Sequence, residues 1–282
     1  MLWIFAQSLA PALYDKQEVS QRRGKAESAL KESSLKVHHL FESGSWTHGT
    51  SVAGRSDVDY MAWAIASRPA LPSSALRSAK AAVEGCDWKI TSVQVDSPAV
   101  AVTYYSEPNF DIVPAWYRDE VRGFNVFWIP GRGDEWILSA PAAHVAYVNR
   151  QNDRLSKKVK PLVRLLKAWK YHVNASVSSF YMEMRTAEYV AGETSIIFAI
   201  DLRSTFRKMI AEEVRGMNDP EGIVGRIPAC SSDEKRRQTL ASMQTALANL
   251  ERAEAAEKQG DKSSYWGAMF GVFGKDFPWP DW

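Results

Sequence analysis

Gly44-Ser45-Trp46-Thr47-His48-Gly49-Thr50-Ser51-Val52-Ala53-Gly54-Arg55-Ser56-Asp57-Val58-Asp59 decides the reading of this chain. The stretch opens on a Gly-Ser pair at the end of a strand-like run, Lys36 to Ser43, and continues as a loop rich in Gly, Ser and Thr up to Ser56. It closes on two aspartates that lead a second strand-like run, Asp57 to Ile65. Side chains alternate along a strand, so Asp57 and Asp59 are predicted on one face. Two adjacent carboxylates repel unless a cation lies between them. Oxygen ligands of this kind suit Mg²⁺, which takes one or two protein carboxylates and completes its shell with water and substrate phosphates. The small Gly44 and Ser45 let backbone N–H groups approach a phosphate closely. A third carboxylate, Asp111, sits in a strand-like segment from Asn109 to Pro114 that can pair alongside. Three carboxylates and a phosphate-cradling turn on one sheet make the parts of a two-metal phosphoryl-transfer site.

Outward from this core, the first half reads as mixed α and β. A long, mostly polar helix from about Asp15 to Ser33 carries a thin apolar stripe of Val19, Ala26, Ala29 and Leu30. Pro69 and Pro72 turn the chain into a helix from Ala75 to Glu84, and short β runs follow at Lys89–Asp96 and Ala99–Tyr105. Phe124–Ile129 and Glu135–Leu138 flank Gly131-Arg132-Gly133 as a hairpin. After Pro141 the pattern becomes helical: His144–Asp153, Lys157–Val173, Ser179–Tyr189, Thr194–Glu213 and Ser232–Gln259. The boundaries expected are 1–143 for an α/β core and 144–282 for a helical lobe, in an α+β, bilobed molecule with its site in the cleft.

Composition narrows the class. The chain has 282 residues, 45% apolar and 24% charged, which excludes disordered and fibrous types. No apolar run approaches the ~20 residues that cross a bilayer, so a cytoplasmic protein without membrane partners is expected. Met1 to Ala6 lacks the basic flank of a signal peptide and reads as an apolar anchor packed on the fold. Cys86 and Cys230 have no metal spacing and read as buried free thiols. Lys and Arg total 35 against 33 Asp and Glu, a net charge of +2 that hides an uneven spread. Between Arg150 and Lys170 eight basic residues face only Asp153. In that helix Val159, Leu162, Val163, Leu166, Trp169 and Val173 keep a buried spacing. Most of the bases solvate the other face, and Lys167, at the edge of the apolar stripe, is the one placed to reach a cleft. His48 falls in the phosphate loop, where a nucleotide contact is open to it, while Arg132-Gly133-Asp134 and Asn174-Ala175-Ser176 are chance motif matches.

Gly44-Ser45, Ser56-Asp57-Val58-Asp59 and Asp111 resemble the signature of the polymerase-β-type nucleotidyltransferases. With Arg164-Leu165-Leu166-Lys167-Ala168-Trp169, Ser178-Ser179-Phe180 and a tail bearing Trp266, Phe273-Gly274 and Phe277-Pro278, the chain looks most like the bacterial cGAS/DncV-like nucleotidyltransferases (CD-NTases) of CBASS anti-phage systems. The resemblance implies that Asp57 and Asp59 bind two Mg²⁺ ions (Mn²⁺ being able to substitute) and the donor triphosphate. It implies that Asp111 completes the metal nearest the acceptor and helps deprotonate its hydroxyl. Gly44 and Ser45 would hold the β and γ phosphates, Lys167 and Ser179 would reach the triphosphate from the helical lobe, and Phe180 would stack on the donor base. The implied product is a cyclic oligonucleotide, a dinucleotide first and a trinucleotide second, made from ATP, GTP or both by a monomer and read by a separate effector. The absence of an inserted Cys/His cluster implies no direct activation by double-stranded DNA. The same Gly-Ser and Asp-X-Asp core also serves enzymes that add a nucleotide to a small molecule or protein, and that alternative stays open.

Overall fold

The computed structural model describes residues 1–11 and 16–278. It divides into two compact units, one of Pro11–Val145 with Ile223–Gly225, the other of Met1–Ala10, Ala146–Gly222 and Arg226–Trp282. In chain order the helices are α1 (Leu2–Ser8), α2 (Lys16–Glu32), α3 (Gly44–His48), α4 (Pro72–Val83), α5 (Pro141–Arg154), α6 (Val159–His172), α7 (Ser179–Val190), α8 (Phe198–Ala211), α9 (Asp233–Gln259) and α10 (Lys262–Phe273). The main strands are β1 (Val37–Ser43), β2 (Val58–Ala64), β3 (Ile90–Asp96), β4 (Ala99–Tyr104), β5 (Phe110–Val121), β6 (Phe124–Pro130) and β7 (Trp136–Ser139). Asp15, where the sequence places the start of the first helix, lies outside the described residues.

The first unit is built on a seven-stranded sheet with the order β1-β2-β5-β4-β3, and β6 and β7 continue from β5. Only the β2–β5 pair is parallel; the other pairings in this sheet are antiparallel. Alternation decides what each face does. Tyr60, Ala62 and Ala64 of β2 and Phe110, Ile112 and Trp116 of β5 turn toward one side. There they pack with Ala26 and Leu30 of α2 and with Ala75, Leu76, Ala79 and Val83 of α4. The intervening residues Met61, Val113 and Ala115 form a second, smaller apolar cluster on the opposite face. In α4 the buried positions 72, 75, 76, 79 and 83 follow the helical repeat. Its first turn is tied down by Asp134, which accepts the Ser73 N–H at 2.7 Å. That aspartate belongs to the Arg-Gly-Asp tripeptide, whose role in this fold is to hold a helix start.

Two elements differ from the sequence reading. The loop expected from Gly44 begins instead as the one-turn helix α3. The strand expected to end at Pro114 runs on to Val121. Proline is ordinarily excluded from a central strand because it lacks an N–H. Here β4 pairs with β5 only up to Ile112 and β6 begins pairing at Trp116, so Pro114 falls in a gap along that edge.

In the helical unit, Trp169 of α6 meets Phe206 of α8 edge-to-face at 5.0 Å. Helix α9 is capped by the Ser232 side chain and closed by Gly260 in the left-handed region. The apolar N-terminus packs within this unit: Phe5 of α1 sits edge-on to Phe273 and Phe277 at 5.1 and 5.2 Å. Among the described residues no helix is long and apolar enough to cross a membrane, and Cys86 and Cys230 are half-buried free thiols.

Candidate active site

The residues that pair across β1, β2 and β5 build the site. Ser43 lies opposite Asp59 in the antiparallel ladder, and Asp59 lies opposite Asp111 in the parallel one. Neighbouring strands are about 4.8 Å apart, so the carboxylates of Asp59 and Asp111 stand side by side on the face away from α2 and α4. Asp57 lies one residue before β2, where Val58 N–H donates to the Asn109 carbonyl at 2.9 Å and prolongs the parallel pairing. Asn109 stands beside Asp57 at the start of the parallel register, and its side chain favours the ionised carboxylate.

The electrostatics follow from this crowding. Burial, and then the charges of Asp59, Asp57 and Asp96, push the Asp111 carboxyl up to about 7. Burial also raises Asp57, opposed by the Asn109 hydrogen bond. Asp96 lies at the end of β3, on the same face as Asp111 and separated from it by the short side chains of Ala99 and Ala101. Among the described residues no three His, Cys, Asp or Glu side chains are gathered as a ready-made metal cluster. The fit to divalent cations therefore rests on charge and donor chemistry: hard carboxylate oxygens, one of which burial and then mutual repulsion push up to about 7.

Gly44 is required twice over. Its φ of +61° is left-handed, and a Cβ added there would lie 2.0 Å from Asp59 Oδ2. This close approach lets the Ser45 N–H donate to Asp59 Oδ2 at 3.2 Å. The first turn of α3 is thus pinned to the middle carboxylate of the row. His48, at the end of α3, is buried.

In the helical unit the arrangement differs from the sequence reading. Lys167 is fully buried and ion-paired with the equally buried Glu183 of α7, so the expectation that it reaches a phosphate does not match its placement. The lysine that meets Ser179 is Lys170, whose ammonium donates to Ser179 Oγ at 2.7 Å. Burial, and then the charge of Lys167, lower Lys170 to about 8. Phe180 follows on α7 and is half-buried. Sequence reasoning thus missed Asn109, Asp96 and Lys170. Lys170 carried a usable signal, since it lies on the polar side of the same apolar stripe. Asn109 carried none, reading as a turn residue.

Residues 2–152 match the family described as Second Messenger Oligonucleotide or Dinucleotide Synthetase domain. A curated relative, "Probable cyclic nucleotide synthase" of Bacillus cereus (strain VD146), is 24% identical over 172 residues, 60% of this chain and 51% of its own length. The chain thus spans about half the length of that relative. Among solved structures, the CD-NTase CdnG of Bradyrhizobium diazoefficiens in complex with GTP superposes with a TM-score of 0.74 at 14% identity, over 97% of this chain and 94% of that one. The DncV cyclic AMP-GMP synthase of Vibrio cholerae, in complex with a linear intermediate, gives 0.67 at 14% identity over 98% and 86%. At such identities the likeness is one of fold, and it is the α+β fold expected from the sequence.

Proposed function

Because the chain belongs to the family of Second Messenger Oligonucleotide or Dinucleotide Synthetase domains, we propose that it joins nucleoside triphosphates into a cyclic dinucleotide, releasing one pyrophosphate per bond. The observation that carries this reading is the row Ser43, Asp59, Asp111 across three strands, with Gly44 pressed against Asp59 and Asp57 beside it. ATP and GTP are the proposed substrates; GTP is what the solved CdnG relative holds.

Asp57, Asp59 and Asp111 would hold two Mg²⁺ ions, which when bound lower the pKa of the acceptor hydroxyl and neutralise the leaving pyrophosphate. The chain's own residues do the rest. Asp59, fixed by the Ser45 N–H, orients the donor side of the site, and the Gly44–Ser45 turn takes the distal phosphate oxygens. Asp111 receives the proton as the acceptor 2′ or 3′ oxygen attacks the α-phosphorus and the bond to pyrophosphate breaks. Lys170 and Ser179, already hydrogen-bonded to each other, offer an ammonium and a hydroxyl suited to triphosphate oxygens. Phe180 offers a ring for a base.

The test is incubation of the full chain with ATP, GTP, CTP and UTP and Mg²⁺, followed by mass spectrometry and nuclease P1 digestion. Phosphatase-resistant cyclic dinucleotides are expected from the parent chain and none from Asp59→Asn. Transfer of a single nucleotide onto an added small molecule or protein, with no oligonucleotide, would move the reading to an external acceptor.

A further inference from the structure

Asp57 lies just outside β2, where the strand ladder does not fix its carboxylate, and two residues from elsewhere in the same unit stand behind it. Asn109, one residue before β5, touches both neighbours of the loop it ends. Its Oδ1 accepts the Tyr104 N–H at 3.0 Å and its backbone carbonyl accepts the Val58 N–H at 2.9 Å. It therefore stands beside Asp57 where the parallel Val58–Phe110 register begins, and the amide nitrogen is the group left to face the Asp57 carboxylate. The loop 105–109 is in turn gripped by Arg22 of α2. One guanidinium nitrogen donates to the carbonyls of Ser106 at 2.9 Å and Pro108 at 3.0 Å. The other donates to Ser106 Oγ at 2.7 Å and to Glu18 at 2.5 Å. The guanidinium plane lies 4.4 Å from the centre of the Tyr104 ring, on the residue whose N–H Asn109 accepts. Arg22 is only 1% exposed. Burying a guanidinium this fully is costly unless its hydrogen bonds are met. Among the described residues Nε has no partner, while the two terminal nitrogens make four bonds, three of them to the loop that delivers Asn109.

We propose that Arg22 and Asn109 are positioning residues for Asp57: Arg22 fixes the loop, Asn109 fixes the carboxylate, and together they present it to a divalent cation. Neither touches substrate or metal; both act through Asp57. The proposal rests on the reading of Asp57 as a metal ligand.

Mn²⁺ binding to the full chain without nucleotide, followed by electron paramagnetic resonance, tests it in the parent, Asp57→Ala, Asn109→Ala, the double variant and Arg22→Lys. Asn109→Ala should weaken Mn²⁺ about tenfold, as expected for an outer partner of a metal ligand. It should add little once Asp57 is already removed. Arg22→Lys, whose single ammonium cannot replace both guanidinium nitrogens, should weaken binding by less. Should Asn109→Ala not fold, Asn109→Ser, whose hydroxyl serves both neighbours in part, should fall between parent and Asp57→Ala. Parent-like affinity in the Asn109 variant, or an equal loss with and without Asp57, overturns the relay while the ligand reading stands. Parent-like affinity in Asp57→Ala overturns both. Parent-like affinity in Arg22→Lys removes Arg22 from the relay.

Discussion

At the scale of single residues, Asp111 shows what crowding carboxylates at the candidate site costs in stability. An aspartate ordinarily titrates near 4, and here burial and three neighbouring carboxylates hold it to about 7. A carboxyl raised in the fold is a source of strain when ionised. The folded chain keeps a proton that the unfolded chain gives up between about pH 4 and 7, so stability falls across that window and the full cost is carried above it. Asp111→Asn should therefore raise the melting temperature of the metal-free protein at pH 8 and change it little near pH 4. The upper bound on the gain is ~4 kcal/mol, from the size of the shift. The same variant should lose about 10²- to 10⁴-fold in turnover. Calorimetry at the two pH values beside a product assay checks both, and an unchanged melting point at pH 8 would count against the crowded-carboxylate account. For the parent, Mg²⁺ should bind more weakly as pH falls through 7, because protons compete for Asp111. Gly44, Asp57 and Asp59 were legible from residue type and short spacing, and Asp111 as a lone carboxylate inside a strand-like run. Arg22 was not, because the loop it grips lies more than 80 residues away and a polar helix gives no sign of which charge turns inward.

Among the elements, the pairing of α6 with α7 is where sequence reading and structure part. The basic run from Arg150 to Lys170 reads in the sequence as mostly solvated, with Lys167 alone turned to a cleft, yet most of its charges are held by carbonyls and carboxylates of the same unit. Arg154 donates to the Val190 and Glu193 carbonyls, Lys158 to the Ile196 carbonyl, and Arg150 pairs with Glu221. Lys167 and Glu183 form a buried ion pair in the interface between the two helices. Composition counts charge but does not record direction, and a three-residue step along α6 separates the lysine held by Glu183 from the one held by Ser179. Removing one partner of a buried pair leaves an uncompensated charge. Glu183→Gln should cost about 3–5 kcal/mol, whereas Lys167→Met with Glu183→Leu should be near neutral in stability. Denaturant melts of the three proteins check this. A double variant as unstable as the single one would mean that the pair does more than cancel its own burial. The pairing of the two aspartate-bearing strands was better foreseen, and the structure adds that it is parallel. The second half of β5 was not, because Pro114 reads as a stop until the gap beside it is seen.

For the whole molecule, the chain does not divide at a single point. Met1–Ala10 joins the unit made mostly of residues after 145, so in chain order the sheet unit falls between two parts of the helical one. The sequence showed an apolar start and left open where it packs; no periodic signal ties residue 5 to residues 273 and 277. Phe5, 1% exposed and wedged between Phe273 and Phe277, should carry much of this attachment. Phe5→Ala should destabilise the helical unit by about 3–5 kcal/mol. Hydrogen exchange should show faster opening in α10 with protection in β2 and β5 unchanged. Loss of protection in the sheet as well would mean that the two units unfold as one.

That chain order also sets the order of events on the ribosome. The residues from Pro11 to Val145 emerge nearly in sequence and can close their sheet as they appear, whereas the leading Met1-Leu2-Trp3-Ile4-Phe5-Ala6 must wait for aromatic partners made some 270 residues later. At ordinary elongation rates that interval is roughly 15–50 s. Throughout it this apolar stretch of the newborn chain lacks its final aromatic partners, which makes it the natural handle for a chaperone and the point from which a stalled synthesis would aggregate.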